Sequence, residues 1–320
     1  MTGQMAMADL HAIGHEFDQH AKAPRTLDLY GRIWADWLRW CSPYEASPLP
    51  ASPEVVAAYA THLAARLRPS SIGVHLAAIT HYHREAGLLS PTEHGIVRKR
   101  MAGIRRAKGI APSRKSPLVL DDLDLIIERL GTKRRAVRDR AMLMLGWAAG
   151  LRRTELVGLD ALPGSDGTGF VRFTSRGLDV VLTRSKTDQD AAGQMVAIPL
   201  RRAASRCPVR LLQRWIDEAG IESGPLFRPV SLGGFIGEKR LQSGAVALAV
   251  KRAIKFVGLD PRDYAGHSLR AGFATTTIAA GAPVKATQDG LRHRKIQTTF
   301  EYVRAVRRYD ESALLCIPSW

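Results

Sequence analysis

The chain has 320 residues and is strongly basic, with 47 Lys and Arg against 30 Asp and Glu and a formal net charge of +17. This length exceeds one average domain, so two domains are expected, and a hydrophobic fraction of 45% suffices for their cores. The excess positive charge predicts a polyanionic partner, with nucleic acid as the first candidate. A membrane surface is the rival, but no apolar run approaches the roughly 20 residues that a spanning helix needs.

The N-terminus and the cysteines indicate the compartment. The first residues contain no basic region followed by an apolar core, so no signal peptide is predicted. The three cysteines (Cys41, Cys207 and Cys316) are scattered and odd in number, which fits neither a disulfide framework nor a zinc site. We therefore expect a reduced, soluble, cytoplasmic protein with no membrane association.

The first hundred residues show helical periodicity. Apolar residues from Tyr30 to Cys41 recur at helical spacing and predict a helix over 26–41. Trp34 and Trp37 belong to this apolar stripe, and we interpret them as core residues rather than base-stacking residues. Ser52 followed by Pro53 predicts the N-cap and first position of a second helix. Two more helices, from about residue 70 and over about 91–104, complete a predicted four-helix domain.

A basic run without any acidic residue spans the end of that domain, over residues 98–115. Gly109 and Pro112 indicate that the run ends in a linker, so the predicted limits are 1–108 for a DNA-binding domain, 109–118 for the linker and 119–320 for a second domain. The run is either a solvated loop or a surface that follows DNA phosphates, and we favour the second. Its members are Arg98, Lys99, Arg100, Arg105, Arg106, Lys108, Arg114 and Lys115.

The second domain is predicted to be mostly helical with a small antiparallel sheet. Its first helix is expected to begin with Asp121 as the N-cap, and an apolar helix follows over 134–149. Short apolar and β-branched runs predict the strands. The predicted strands are 169–173, 180–183 and 195–199, and the later helices are 208–219, 243–257, 267–281, 283–290 and two short ones around Tyr302.

Four separate motifs carry groups that handle phosphate. His267 and Arg270 lie three residues apart, so a helix places both on one face. His293 precedes Tyr302 by nine positions. Upstream, the segment 150–156 (Gly-Leu-Arg-Arg-Thr-Glu-Leu) and the segment 184–188 (Arg-Ser-Lys-Thr-Asp) supply an arginine with a nearby carboxylate and a lysine between two strands.

The order Arg, Lys, His-x-x-Arg, His, Tyr resembles the tyrosine recombinases of the phage integrase family, over roughly residues 119–310. The resemblance implies a mainly α protein with an N-terminal helical core-binding (SAM-like) domain and a C-terminal catalytic domain. It also implies site-specific DNA recombination through a 3′-phosphotyrosyl intermediate, without metal or cofactor. Two alternatives stay open, a type IB topoisomerase-like activity and a DNA-binding regulator without catalysis.

The resemblance also assigns roles to single residues. Arg152 and Arg270 would bind the non-bridging phosphate oxygens, for which a guanidinium fork is well suited. Lys186 would protonate the leaving 5′-oxygen, and Tyr302 would be the nucleophile. His267 would act as general base or phosphate donor, and His293 would donate to a phosphate oxygen. Glu155 would orient the site, or else form a structural helix salt bridge.

One position departs from the family pattern, because Arg292 stands where the family more often has glycine before the second histidine. The predicted partner is double-stranded DNA with paired inverted-repeat sites. A Cre- or Xer-like enzyme would be a monomer in solution and a homotetramer on two duplexes. Its apolar tail (Leu314, Leu315, Ile317 and Trp320) would pack either on its own domain or, as in the family, on the neighbouring protomer. Such proteins are encoded by bacteria, phages or mobile elements.

Overall fold

The computed structural model describes Met7 and residues 22–109, 115–164, 166–183, 193–308 and 312–317. The chain forms two compact units, Met1–Ser113 and Arg114–Trp320. Among the described residues, no helix is long and apolar enough to cross a membrane.

The described part of the N-terminal unit consists of helices α1 (Pro24–Cys41), α2 (Pro53–Ala64), α3 (Pro69–Glu85) and α4 (Gly95–Lys108). The hydroxyl of Ser52 accepts a hydrogen bond from the Val55 N–H, which confirms the predicted N-cap of α2. Helix α4 begins later than predicted, because residues 91–93 form a separate 3₁₀ turn. It also extends to Lys108, so most of the basic run is helical.

Aromatic rings fill the core of the N-terminal unit. Trp37 is fully buried, and its ring lies 5.6 Å from that of Trp40 and 4.9 Å from that of Tyr59. Trp34 stacks on Tyr82 at a centroid distance of 4.3 Å. The interpretation of Trp34 and Trp37 as core residues is therefore confirmed, since both rings are engaged within the unit.

The C-terminal unit contains eight helices among its described residues. These are α5 (Leu120–Arg129), α6 (Arg134–Ala148), α7 (Arg153–Val157), α8 (Pro208–Ala219), α9 (Ser243–Ile254), α10 (His267–Ala279), α11 (Val284–Leu291) and α12 (Ile296–Val306). Two predictions are wrong here. The N-cap of α5 is Val119, and Asp121 lies in the first helical turn, where the helix dipole stabilises its carboxylate. Tyr302 lies within one continuous helix, α12, instead of between two short ones.

The described strands form a four-stranded sheet with the order β1 (Leu159–Asp160), β2 (Gly169–Thr174), β3 (Gly177–Leu182) and β4 (Gln194–Pro199). Strands β2, β3 and β4 are antiparallel as predicted, with Val171 opposite Val180 and Leu178 opposite Ile198. Strand β1 pairs parallel to β2, so the sheet is mixed. Strand β1 was not predicted, because two residues are too few to show an alternating pattern.

Helix α10 is held close to the segment that leads into α5. Leu118 donates its N–H to the carbonyl of Ser268 at 2.9 Å, and Trp147 donates its ring N–H to the Leu118 carbonyl at 3.0 Å. A Cβ atom at Gly272 would lie 1.7 Å from the Leu118 oxygen, so only glycine permits this approach. This packing fixes the helix that carries His267 and Arg270.

Candidate active site

The site begins where α6 ends and α7 begins. Arg152 is the N-cap of α7, and the Glu155 carboxylate accepts a 2.9 Å hydrogen bond from the Arg152 backbone N–H. The second oxygen of Glu155 accepts from the Arg152 guanidinium at 2.5 Å. The exposed fraction of the side chain is 21% for Arg152 and 3% for Glu155. The Arg152 side chain therefore contacts the buried Glu155 carboxylate and is itself partly exposed at the surface.

Arg270 is the buried cation of the site, with an exposed fraction of 2%. Its guanidinium donates to the carbonyl of Gly150 at 2.5 Å and to the carbonyl of Leu291. Burial, together with nearby Arg152 and Arg292, lowers the pKa of Arg270 to about 9. It therefore remains mainly charged at neutral pH.

His267 is the first residue of α10, and its Nε2 lies 3.4 Å from the phenolic oxygen of Tyr302. His267 is exposed at the surface, and desolvation by its neighbours, followed by the charges of Arg270, Arg152 and Arg153, lowers the pKa of its imidazole below the ordinary value of 6.5. The imidazole is thus mainly neutral at pH 7 and has a nitrogen lone pair available. Its distance to Tyr302 suits transfer of the phenolic proton once substrate closes the site.

His293 occupies the turn between α11 and α12. Its Nδ1 lies 3.0 Å from the hydroxyl of buried Thr299, and its ring is nearly parallel to that of Tyr302 at a centroid distance of 6.4 Å. Burial, and then the cations Arg270 and Arg152, lower the pKa of His293 to about 4. If Thr299 donates to Nδ1, the proton of the neutral ring is on Nε2, which can then donate to a phosphate oxygen.

Arg292 is the site residue that the sequence analysis recorded only as a departure from the family pattern. It is the C-cap of α11, in the left-handed conformation at φ +55°. Its buried guanidinium donates to Glu155 at 2.9 Å and to the carbonyls of Ala149 and Gly150 at 2.9 and 3.0 Å. A non-glycine residue at the end of a helix, beside a candidate catalytic histidine, is the local signal that points to it.

Six of the seven residues assigned to the centre lie together in the C-terminal unit: Arg152, Glu155, His267, Arg270, His293 and Tyr302. The seventh, Lys186, lies outside the described residues, so its role stays a prediction.

The predicted DNA-contacting residues lie mainly on α4. Arg98, Lys99, Arg105 and Arg106 are exposed on this helix, whereas Val97, Met101 and Ile104 are buried. Three other members also have contacts within their own unit. Arg100 donates to Thr61 at 2.5 Å, Lys108 donates to the Leu67 carbonyl at 3.1 Å and Lys115 donates to the Arg262 carbonyl at 2.6 Å. Arg114 lies outside the described residues.

Comparison with known proteins identifies the family. Residues 118–308 match the family model described as "Phage integrase family". The chain is 33% identical over 300 residues to the integrase/recombinase xerD homolog of Selenomonas ruminantium, covering 92% of this chain and 86% of that protein. It is 24% identical over 308 residues to the recombinase cre of Escherichia phage P1, covering 90% and 86%. The chain therefore belongs to the phage integrase family of tyrosine recombinases.

Solved structures support the same fold. A lambda integrase (75–356) dimer bound to a COC′ core site matches with a TM-score of 0.58 and 18% identity, covering 94% of this chain and 95% of that one. The XerH site-specific recombinase bound to palindromic difH substrate matches with a TM-score of 0.58 and 16% identity, covering 82% and 71%. The mainly helical, two-unit architecture is thus the fold expected from the motifs.

The low pKa of His293 predicts acid sensitivity of the fold. An unfolded histidine takes up a proton near pH 6.5, whereas His293 in the folded site resists protonation down to about pH 4. The unfolded state therefore binds more protons in this window, and the free energy of unfolding falls as pH decreases through it. His293→Gln keeps a polar side chain beside Thr299. We expect its melting temperature to fall less than that of wild type when the pH is lowered from 7 to 5.

The control is His62→Gln, which removes an exposed histidine from the N-terminal unit. Thermal melts at pH 7 and pH 5 should show the same decrease in melting temperature for wild type and the control. The decrease should be smaller for His293→Gln. Equal losses in all three would contradict the proton uptake assigned to His293.

Proposed function

We propose that this protein is a site-specific tyrosine recombinase that cuts and rejoins DNA through a 3′-phosphotyrosyl intermediate. The observation that carries the proposal is the 3.4 Å approach of a neutral His267 to the Tyr302 hydroxyl beside the guanidinium groups of Arg152 and Arg270. A phenol beside a proton acceptor and phosphate-binding cations forms a nucleophile centre for transesterification.

The cleavage step balances with the groups at the site. The Tyr302 oxygen attacks the phosphorus as its proton passes to His267, and the bond from phosphorus to the 5′-oxygen breaks. The 5′-oxygen takes a proton from a general acid, the role that the family resemblance gives to Lys186. In the reverse step a 5′-hydroxyl gives its proton to that general acid and attacks the phosphorus, the bond from phosphorus to the Tyr302 oxygen breaks, and Tyr302 regains its proton from His267.

The charge distribution favours the transition state of this step. Arg152, Arg270 and Arg292 are gathered around one carboxylate, that of Glu155, which leaves the site with an excess of positive charge. Preorganised cations stabilise the negative charge that develops on the phosphate oxygens. Arg152, being partly exposed, is placed to meet the phosphate first.

Recombination is favoured over the two alternatives. The relatives that match this chain over most of its length are a xerD homolog and the cre recombinase, which supports strand exchange over topoisomerase-like relaxation. The gathered set of candidate catalytic groups argues against a regulator without catalysis. We further propose that the partner is double-stranded DNA with paired inverted repeats, and that four protomers, monomeric in free solution, assemble on two duplexes. A bacterial or phage source and a cytoplasmic location remain predictions.

The test of the function is covalent capture. A duplex from the DNA beside the coding region, nicked next to the cleaved position, should trap wild-type protein as an adduct that survives denaturing electrophoresis. Tyr302→Phe should give no adduct and keep its DNA affinity, because only the nucleophilic oxygen is removed. The control Tyr264→Phe changes a buried tyrosine outside the centre and should still form adduct. An adduct in Tyr302→Phe would reject the assigned nucleophile.

The exposed arginines of α4 predict salt-dependent binding. Arg105→Ala with Arg106→Ala should weaken binding about equally on all sequences and reduce the slope of log K against log salt by about 2, because two phosphate contacts are lost. A matched control replaces Arg39 and Arg84, exposed arginines paired with Asp36 and Glu93, and should leave the slope unchanged. Fluorescence anisotropy at several salt concentrations measures both. A slope equal to wild type would show that α4 does not follow phosphates.

The apolar tail predicts how the tetramer closes. Leu314, Leu315 and Ile317 are exposed, with exposed fractions of 43%, 62% and 46%. We propose that they pack on a neighbouring protomer, in a head-to-tail contact that closes into a ring. Deleting residues 313–320 should preserve binding to one site and abolish complexes of two duplexes, as measured by light scattering on DNA. Leu232→Ser, which changes an apolar side chain that is 90% exposed elsewhere, serves as control. Normal assembly of the truncated protein would place the tail on its own protomer.

A further inference from the structure

We propose that Arg292 is a positioning residue that keeps Arg152 available to phosphate by sharing the carboxylate of Glu155. This inference rests on the proposed function and adds to it a residue outside the family pattern. Arg292 does not touch the reacting atoms in this proposal, since it acts through Glu155 on Arg152.

The backbone of Arg292 adopts a conformation that favours glycine. Helix α8 ends at Gly220 with φ +57° and ψ +43°, and α11 ends at Arg292 with the nearly identical values of +55° and +44°. Glycine adopts this left-handed conformation without a steric penalty, whereas arginine does not. The contacts of the Arg292 guanidinium offset this backbone cost.

Those contacts join the end of α6 to the end of α11. The Arg292 guanidinium donates to the carbonyls of Ala149 and Gly150, which follow α6, and to the carbonyl of Gly290 at 2.8 Å. The Gly150 carbonyl also accepts from Arg270, whose other described bond goes to the carbonyl of Leu291. Both described bonds of Arg270 thus go to carbonyls, and the buried guanidinium that forms an ion pair with Glu155 is that of Arg292.

Glu155 is divided between two arginines. One carboxylate oxygen accepts from the Arg152 guanidinium at 2.5 Å, and the other accepts from the Arg292 guanidinium at 2.9 Å. The exposed fraction of the side chain is 21% for Arg152 but 4% for Arg292. A phosphate can therefore reach Arg152, while Arg292 stays with the carboxylate.

Removal of Arg292 would change this division. Oε2 of Glu155 would then keep only the Arg152 backbone N–H and would be open to the Arg152 guanidinium, which already binds Oε1. That arrangement approaches the bidentate geometry in which a guanidinium binds a carboxylate most tightly. The carboxylate would compete with the phosphate for the same fork. A glycine at this position would remove the steric cost of the left-handed backbone. The charge of Arg152 would, however, be neutralised by Glu155.

Cleavage kinetics test the proposal through paired variants. We expect R292G to cleave the nicked duplex about 100-fold more slowly than wild type, the scale of misplaced catalytic groups, with DNA affinity nearly unchanged. The double variant R292G/E155Q removes the competing charge. It should cleave at least about 10-fold faster than R292G, which is half of the roughly 100-fold loss on a logarithmic scale. A merely structural role for Arg292 predicts no recovery, because a second buried contact is lost. A double variant no faster than R292G, or an R292G protein as fast as wild type, overturns the proposal.

If R292G melts below the assay temperature, the same cycle is run with R292K. The ammonium group keeps the charge but lacks the fork, so R292K should lose part of the rate, and E155Q should again restore it. An R292K protein equal to wild type in rate, or not restored by E155Q, would count against the proposal as well.

A readout without cleavage separates this inference from the proposed function. The Nε–H signal of Arg152, assigned by its absence in R152Q, is followed by nuclear magnetic resonance during titration with inorganic phosphate. We expect R292G to bind phosphate about 10-fold more weakly than wild type and R292G/E155Q to regain the affinity. If wild type cleaves no DNA, the proposed function fails while this titration still decides the role of Arg292. Equal phosphate affinity in wild type and R292G overturns the inference.

Discussion

The burial of several guanidinium groups beside Glu155, the one carboxylate that pairs with them among the described residues, is the constraint on which the site depends. Arg270 and Arg292 are both buried, with Arg152 and Glu155 adjacent. Buried like charges are strongly unfavourable unless each one is paired or hydrogen-bonded. One carboxylate cannot neutralise three cations, so the fold must supply other acceptors.

Those acceptors are the carbonyls at helix ends. The carbonyls of Ala149 and Gly150 follow α6, and those of Gly290 and Leu291 close α11. Helix C-termini carry partial negative charge and unsatisfied carbonyl oxygens, so they stabilise cations without neutralising them. The arginines are held firmly and yet retain their charge for a phosphate. The left-handed conformation of Arg292, a cost of about 1–2 kcal/mol for a residue with a Cβ, belongs to the same arrangement.

Local sequence signals predicted part of this site. The spacings of His267 and Arg270 and of His293 and Tyr302 indicated a phosphate-handling constellation, and the resemblance of the motif order to a known family assigned these residues to one centre. The role of Arg292 could not be predicted, because it depends on a backbone angle and on a carboxylate far away in the sequence. Strand β1 and the continuity of α12 were not predicted for a related reason. The secondary structure of short or polar segments depends on long-range packing, which local periodicity does not show.

The same cations also set the state of the histidines. Burial and the neighbouring arginines lower the pKa values of His267 and His293, so both rings are neutral before substrate binds. A bound phosphate brings negative charge among these arginines and offsets their effect on an imidazolium. Protonation of His267 is thereby favoured when a phosphate is present, which is when the Tyr302 proton must be accepted. Phosphate binding and proton acceptance thus follow from one electrostatic arrangement rather than from two separately built features.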